Sequence, residues 1–321
     1  MAIAANAFGQ AVPPVPAVVV RVPQPQVRYM AGRDTSERSI KADPNVNISL
    51  CVSQGSLKVN GWSRSEVRVF VADGSKFGFK VQQKSPKTGD PVWIMVAAES
   101  DGKSKYGSPS ECINGEEIEI DAPAGAVLNL KGQEISTAVD GIRRVSIRNA
   151  GGDISVRNIS DGVTAATYRG DMTVEQSMGA IVLENTTGNI LVFDAGPSEI
   201  GDIFKAKTTS GAISVQKIGH RQIEVNSISG TVAYNGDILS GGSYSFGTSN
   251  GSIRLSIPTN SACMLIASYG GAFASEIAFK LATENISPGP VKSVVATIGG
   301  GGDASLRLTT NNGSISIKKQ Q

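Results

Sequence analysis

One short pattern constrains this chain more than any other feature. From near Val145 onward it repeats a glycine, a small or polar residue, an apolar residue, any residue, and an apolar residue. The copies are Gly152-Asp-Ile-Ser-Val, Gly170-Asp-Met-Thr-Val, Gly179-Ala-Ile-Val-Leu, Gly188-Asn-Ile-Leu-Val, Gly211-Ala-Ile-Ser-Val and Gly230-Thr-Val-Ala-Tyr. Gly251-Ser-Ile-Arg-Leu, Gly302-Asp-Ala-Ser-Leu and Gly313-Ser-Ile-Ser-Ile continue the series, and Gly55-Ser-Leu-Lys-Val anticipates it. Successive copies lie about 9 to 10 residues apart or about twice that. With 37 glycines and 40% hydrophobic residues, chance would give about two copies of the strict form, in which both intervening positions are polar. Six occur, at Gly55, Gly152, Gly170, Gly251, Gly302 and Gly313.

Side chains alternate faces along a strand, so each unit offers two inward apolar residues behind a corner that glycine tolerates because it accepts positive φ. One such strand cannot bury its apolar face alone. Coils stacked about 4.8 Å apart place Ile above Ile and Val above Val in a continuous core. The pattern therefore predicts an all-β chain, a single-stranded parallel β-helix (β-solenoid), with corner glycines at Gly152, Gly170, Gly179, Gly188, Gly211, Gly230, Gly251, Gly302 and Gly313. Ala272 to Ala282 is the one stretch with helical character, and its Phe273, Ile277 and Phe279 suit irregular coils equally.

The rest of the chain divides around that core. Residues 1–45 read as a disordered Pro/Ala/Val-rich tail; within it Ala5-Asn6-Ala7 has the small-x-small form of a signal cleavage site, without a charged n-region or a full h-region before it. Period-two alternation begins with Val46, Ile48 and Leu50, so residues 46–144 are expected to form a less regular β region that caps or begins the solenoid. Turn clusters at Lys84-Ser-Pro-Lys-Thr-Gly and Asp101-Gly-Lys-Ser-Lys-Tyr-Gly separate its strands. Residues 145–321 form the repetitive part with a C-terminal cap, because a solenoid end left open is a row of unpaired strand groups. The Lys318-Lys319 terminus is the expected guard of that end.

Several function classes are excluded or weakened by composition. Thirty Lys plus Arg against 28 Asp plus Glu leave a net charge of +2, so no global field recruits nucleic acid. Aromatic and basic residues are also not interleaved as on nucleic-acid-binding sheets. No apolar run is long enough for a membrane-spanning helix. Cys51, Cys112 and Cys263 lack C-x-x-C spacing, which weakens a zinc site or a redox pair, and no cofactor is expected. Cys51 and Cys112 form a disulfide if the chain is exported, or else are two buried thiols; Cys263 reads as a core residue.

Candidate chemistry is sparse. His220 is the only histidine and sits at an expected exposed corner, Lys217-Ile-Gly-His-Arg. Gly247-Thr-Ser249-Asn-Gly251 fits a hydrolase elbow, but a strand pattern comes after it where that elbow needs a helix. Asp153, Asp171, Asp202, Asp237 and Asp303 could align as a calcium edge, yet they lack the tandem spacing of calcium rolls and suit hydrogen-bonded turns. Glu175, Glu184, Asp194 and Glu224 are the carboxylates available for sugar cleavage on a solenoid face, though scattered singly. Tyr168, Tyr234, Tyr244, Phe246 and Tyr269 could form a sugar-stacking platform, with core packing the alternative. Gly299-Gly-Gly-Gly302 precedes a strand and lacks the Lys of a phosphate loop.

These motifs together resemble a bacterial family of uncharacterised domains labelled "putative adhesins". The resemblance runs from about Val46 to Lys319. It rests on Val59-Asn-Gly-Trp-Ser-Arg-Ser-Glu-Val-Arg-Val, the glycine repeats, Ile257-Pro-Thr-Asn-Ser-Ala, and the ending Ile298-Gly-Gly-Gly-Gly-Asp-Ala-Ser-Leu-Arg-Leu-Thr-Thr-Asn-Asn-Gly-Ser-Ile-Ser-Ile. It implies a parallel β-helix on the cell surface or in the periplasm and supplies no catalytic residues. The expected function is a non-enzymatic, extracytoplasmic scaffold for adhesion, with a protein or carbohydrate partner. A self-assembling, bactofilin-like homo-oligomer and a carbohydrate-active enzyme are the rivals.

Overall fold

The computed structural model describes residues 35–83, 89–99, 111–285 and 291–320. The Ala5-Asn6-Ala7 site, most of the tail, the first turn cluster as far as residue 88 and all of the second lie outside the described residues. The chain divides into two compact units at Arg33/Asp34, and all of the described strands belong to the second, Asp34–Gln321.

Each coil of the repeat uses two strands. In chain order the pairs are β8 (Arg144–Gly151) and β9 (Ile154–Arg157), β10 (Val163–Arg169) and β11 (Met172–Glu175), then β12 (Ile181–Thr187) and β13 (Ile190–Ala195). They continue with β14 (Ile203–Ser210) and β15 (Ile213–Ile218), β16 (Gln222–Ser229) and β17 (Val232–Asn235), and β18 (Ser243–Asn250) and β19 (Ile253–Ile257). Even-numbered strands stack in parallel in a first ladder and odd-numbered ones in a second. Inward residues align from rung to rung. Val145, Val163, Ile181, Phe204, Ile223 and Tyr244 form one column, and Ile154, Met172, Ile190, Ile213, Val232 and Ile253 another. All are buried in one hydrophobic core.

The N-terminal β region shares that core. Strands β2 (Asn47–Trp62) and β7 (Val127–Asp140) each run through both ladders, and β7 pairs with β8 and β9. Beyond β2, β5 (Pro91–Ala98) extends the first ladder and β6 (Ile113–Pro123) the second. The outermost strands are antiparallel: β4 (Phe77–Gln83) on β5, β3 (Glu66–Ala72) on β6, and β1 (Thr35–Lys41) on β3. Part of the stretch assigned to the disordered tail is therefore strand: β1 lies within residues 1–45 and supplies an edge that covers β3.

The C-terminal end departs from the expectation. Strands β24 (Ser305–Thr310) and β25 (Ile315–Lys319) do not close the stack; they slot between β18–β19 and the pair β20 (Cys263–Tyr269) and β21 (Phe273–Ser275). Lys318 and Lys319 thus lie on a rung covered by further strands. The end of the first ladder is β22 (Phe279–Asn285), antiparallel on β23 (Lys292–Ile298), itself antiparallel on β20. Ala272 to Ala282 holds strand, not helix.

Candidate functional site

The corner glycines fall into two groups. Gly152, Gly170, Gly188, Gly211, Gly230, Gly251 and Gly313 stack at the turn from the first ladder to the second. A Cβ on Gly170 would lie 2.3 Å from the Gly152 carbonyl oxygen, on Gly211 1.9 Å from that of Gly188, on Gly251 2.0 Å from that of Gly230, and on Gly313 1.8 Å from that of Gly251. Close approach is common to all seven, whereas left-handed φ is not: Gly152, Gly170, Gly188, Gly211 and Gly230 adopt it, while Gly251 and Gly313 do not. Gly179 belongs to the opposite corner, where a Cβ would meet the Asp161 carbonyl carbon at 2.6 Å. Gly302 is off the stack, beside Ala262, and its match to the pattern is coincidental in position.

Sequence reasoning missed the partners of these carbonyls. Asn185 Nδ2 donates to Gly170 O at 2.7 Å, Ser227 Oγ to Gly211 O at 3.0 Å, Thr248 Oγ1 to Gly230 O at 2.9 Å and Thr310 Oγ1 to Gly251 O at 2.8 Å. Each donor is buried. Each lies three residues before its own corner glycine, a spacing that was readable: Asn149, Thr167, Asn185, Thr208, Ser227, Thr248 and Thr310 all obey it.

Other candidates are placed apart. His220 is fully buried, not at an exposed corner; it packs 5.9 Å from the Phe204 ring and its Nε2 bonds Gly179 O at 2.8 Å. A carbonyl only accepts, so Nε2 carries the proton and Nδ1 is left without a partner. Burial pushes the imidazole below its ordinary value, against the opposing pull of Gly179 O and Asp202. Asp153 and Asp171 do stack, but each caps a backbone N–H of the next rung, that of Asp171 at 2.8 Å and Asn189 at 2.7 Å. Asp202 accepts from Ser198 and Glu199 in its own turn, and Asp303 from Ser240. Among the described residues no three His, Cys, Asp or Glu side chains cluster as metal ligands. Ser249 lies in β18 and the next element is strand β19, where an elbow nucleophile needs a helix.

The aromatic platform dissolves: Tyr234, Tyr244, Phe246 and Tyr269 are buried and only Tyr168 is exposed. Tyr234 and Tyr244 both reach the turn between β17 and β18: the Tyr234 hydroxyl donates to Asp237 O at 2.7 Å, and the Tyr244 hydroxyl accepts from Leu239 N–H at 2.8 Å. The four carboxylates also fail to converge. Glu175 is on the second ladder, Asp194 is near the end of β13 on that ladder with φ 58°, and Glu184 and Glu224 are on the first ladder with a rung between them. Glu224 contacts Lys205 at 3.5 Å and Lys207 at 3.3 Å. Desolvation raises its carboxyl, but the two lysines outweigh this and hold it below the ordinary glutamate value. That suits an ionised surface group and opposes a general acid, which needs a raised value. Cys51 and Cys112 are joined in a disulfide that ties β2 to the start of β6; Cys263 is a buried thiol, pushed by desolvation up to about 11.

What remains is the outer face of the first ladder. Alternation aims every second residue of these strands outward, giving two rows in register. One runs Met95, Ser49, Asn129, Ser146, Thr164, Val182, Lys205, Glu224, Ser245, Arg307. The other runs Cys51, Lys131, Arg148, Ala166, Glu184, Lys207, Asn226, Gly247, Thr309. Two concavities lie on this face. One of about 550 Å³ is edged by Lys207, Asn226, Gly247, Thr209, Ser249 and the exposed Ile228. One of about 660 Å³ near the other end holds Trp93, Met95, Ser49, Asn129, Lys131 and Arg148.

A family model described as Toastrack DUF4097 matches residues 27–318. No curated protein matches the chain. Among solved structures, "a putative cell adhesion protein" from Clostridium sporogenes ATCC 15579 aligns over 89% of this chain and 100% of that chain at 11% identity, with a TM-score of 0.20. "A putative adhesin" from Parabacteroides merdae ATCC 43184 aligns over 89% and 96% at 8% identity, with a TM-score of 0.25. Superpositions this loose leave the description of the fold to the ladders themselves. The family model spans nearly all of the chain, which belongs to the Toastrack DUF4097 family.

Proposed function

We propose that this Toastrack DUF4097 chain is a non-enzymatic extracytoplasmic scaffold that adheres to an extended partner along the outer face of its first ladder. The observation that carries the reading is that this face holds two concavities, of about 550 and 660 Å³, among in-register Ser, Thr, Asn and charged side chains. Rungs held by stacked glycine carbonyls and buried donors give a rigid surface, which suits binding with little ordering cost. The Cys51–Cys112 disulfide supports an oxidising compartment. The scattered carboxylates, with Glu224 held ionised, favour binding over cleavage.

Arginine introduced on the face (Thr164→Arg with Ser245→Arg) should abolish retention on polysaccharide and matrix-protein arrays, while Ser155→Arg with Ser214→Arg on the second ladder leaves it intact. Equal loss from both pairs refutes the assignment of the face. Release of reducing ends that vanishes in Glu175→Gln or Glu224→Gln refutes the non-enzymatic reading. Self-assembly is favoured by one observation: Phe279 and Leu281 on β22 pair opposite the buried Ile298 and Ala296, yet are 38% and 47% exposed, so the core is open at that edge.

A further inference from the structure

The two ladders stop at different heights at the C-terminal end. The first runs β18, β24, β20, β23, β22, while the second runs β19, β25 and ends on β21. Strands β23 and β22 therefore rise past the last strand of the second ladder, and among the described residues no second-ladder strand accompanies them. Burial fails at the outermost strand. Val294, Ala296 and Ile298 on β23 are buried, but the inward Phe279 and Leu281 on β22 are exposed. Phe279 packs edge-on to Phe273 of β21 at 5.8 Å, and Phe273 stacks on Tyr269 at 5.6 Å, so an aromatic cluster links the ends of the two ladders. The opposite end of the stack is finished with charge. There Arg38 of β1 lies 5.9 Å from the Phe77 ring and pairs with Glu99 at 2.6 Å, and of the inward apolar residues on β4 only Val81 is exposed.

Strand direction and charge say what fits this stepped end. Strand β23 is antiparallel to β20 and β22 to β23, so β22 runs with the first ladder; β21, parallel to β25, runs with the second. A two-fold axis perpendicular to the stacking direction reverses the sense in which a chain circulates. A second copy placed by such an axis between the ladders therefore brings its β22 antiparallel to β21, and its raised first ladder fills the step left by the shorter second one. Pairing β22 with β22 of the other copy would join the first ladders and hold the second ladders several rungs apart. Inward residues must meet inward residues, Phe279 and Leu281 against Phe273 and Ser275. With Leu281 opposite Phe273, Lys280 falls opposite Ala274 and diagonal to Glu276; a shift of two residues sets Lys280 directly opposite Glu276. Both side chains are exposed, and Glu276 continues the second ladder through its N–H to Ile317 O at 2.9 Å. Opposite charges so placed stabilise a strand pair, and the two-fold makes the pair twice.

We propose that the C-terminal end joins a second copy of this chain in a closed two-fold dimer, with β22 of each copy along β21 of the other, Phe279 and Leu281 closing on the partner's Phe273, and Lys280 pairing with the partner's Glu276. The inference deepens the self-assembly reading of this edge and is independent of the adhesive face. Sedimentation velocity of the full chain over a range of concentrations tests it. The expected species has twice the 33.3 kDa mass of the chain. Leu281→Lys should weaken association at least tenfold, while Val81→Lys at the opposite end leaves it unchanged. Lys280→Glu, an exposed change that does not touch the core, should also weaken it at least tenfold, and Lys280→Glu/Glu276→Lys should recover most of the loss. Hydrogen exchange in β21 and β22 should slow as the dimer forms. A chain that stays monomeric at every soluble concentration overturns the proposal, as does a mass that grows past two copies, because a closed two-fold contact stops there. A dimer indifferent to Leu281→Lys and Lys280→Glu, or one that the charge exchange fails to recover, overturns it too. A monomer whose array retention still disappears in Thr164→Arg with Ser245→Arg ends this proposal and leaves the adhesive face standing; a monomer without that sensitivity ends both.

Discussion

Gly251→Ala is the substitution that best separates the reasons for a corner glycine. Its added Cβ would sit 2.0 Å from Gly230 O, 2.6 Å from Gly230 C and 3.0 Å from Thr248 Oγ1, all fixed atoms of the neighbouring corner. Real carbon–oxygen contacts exceed about 3 Å, so the two rungs must part by about 1 Å locally. Parting them stretches Thr248 Oγ1→Gly230 O (2.9 Å) and Val232 N→Ser252 O (3.0 Å) beyond useful length. Each lost bond costs about 1 kcal/mol, and leaving a buried hydroxyl unpaired adds about 1–3 kcal/mol, giving a total of about 3–5 kcal/mol. Two other glycines isolate the alternatives. Gly201 has φ 98° and open space around it, so alanine there should cost only the left-handed penalty, about 1–2 kcal/mol. Gly300 has neither constraint, and Gly300→Ala should fall within about 0.5 kcal/mol of wild type. Urea unfolding monitored by circular dichroism ranks the three, and hydrogen exchange should show the Gly251→Ala loss centred on β17 and β19. A cost for Gly251→Ala no larger than that for Gly201→Ala would refute the close-approach explanation.

Acid should destabilise the fold through His220. Its folded value lies below that of the unfolded chain, about 6.5, so the unfolded state takes up the proton first; stability is unaffected above that pH and falls as pH drops from there toward the folded value, by up to about 1.4 kcal/mol per unit of pH. Urea midpoints at pH 7.5 and 5 should differ, and His220→Phe, which refills the volume beside Phe204, should lose that component of the difference; an unchanged slope would exclude His220 as its source. Reducing Cys51–Cys112, which spans 61 residues, releases a constraint worth about 4 kcal/mol in the chain-entropy account. The reductant should lower the melting temperature, while Cys51→Ser/Cys112→Ser shows no further response to it; a wild-type melt indifferent to reductant would count against the bridge.

Much of the repeat was legible because its cause is local. An inward Ile or Val two residues apart behind a glycine is a statement about one rung, and every rung repeats it, so the ladder from Val145 to Leu255 is implied by alternation alone. The donor column could have been read the same way, since Asn185, Thr208 and Ser227 each stand three residues before a glycine. What could not be read was order between rungs. Nothing in Ser305–Thr310 states that it pairs with β18 on one side and β20 on the other, because Leu306 and Leu308 would suit any rung equally well. His220 was misplaced for a related reason: its neighbours Gly219 and Arg221 read as a solvated corner, and only the stacked coils place it against Phe204 and Gly179. The outer face of the first ladder was obscured because its residues are unremarkable singly; Lys131 and Arg148 become neighbours only once β7 and β8 are in register.

The displaced final coil has a consequence for how the molecule holds together. In a solenoid whose rungs keep chain order, each rung needs only its predecessor, and stability is close to a sum of nearest-neighbour terms. Here β20 contacts the body through β24, so Leu265 and Ala267 find their inward neighbours only when Leu306 and Leu308 have returned from the far side of the β22–β23 hairpin. Thr310 then closes the donor column onto Gly251, and Gly313 stacks on the same corner. The terminal strands and the last coil are therefore one cooperative unit, because neither the β20–β23 excursion nor β24–β25 has a complete set of partners without the other. Loop-closure entropy for the long return is paid once and grows only slowly with length, whereas an open first-ladder end at β18 would expose Tyr244 and Phe246, both buried now. Burial of those rings and of Leu306 and Leu308, at about 1.5–3 kcal/mol for each large apolar side chain, is what favours the out-of-order arrangement over a stack that simply stops.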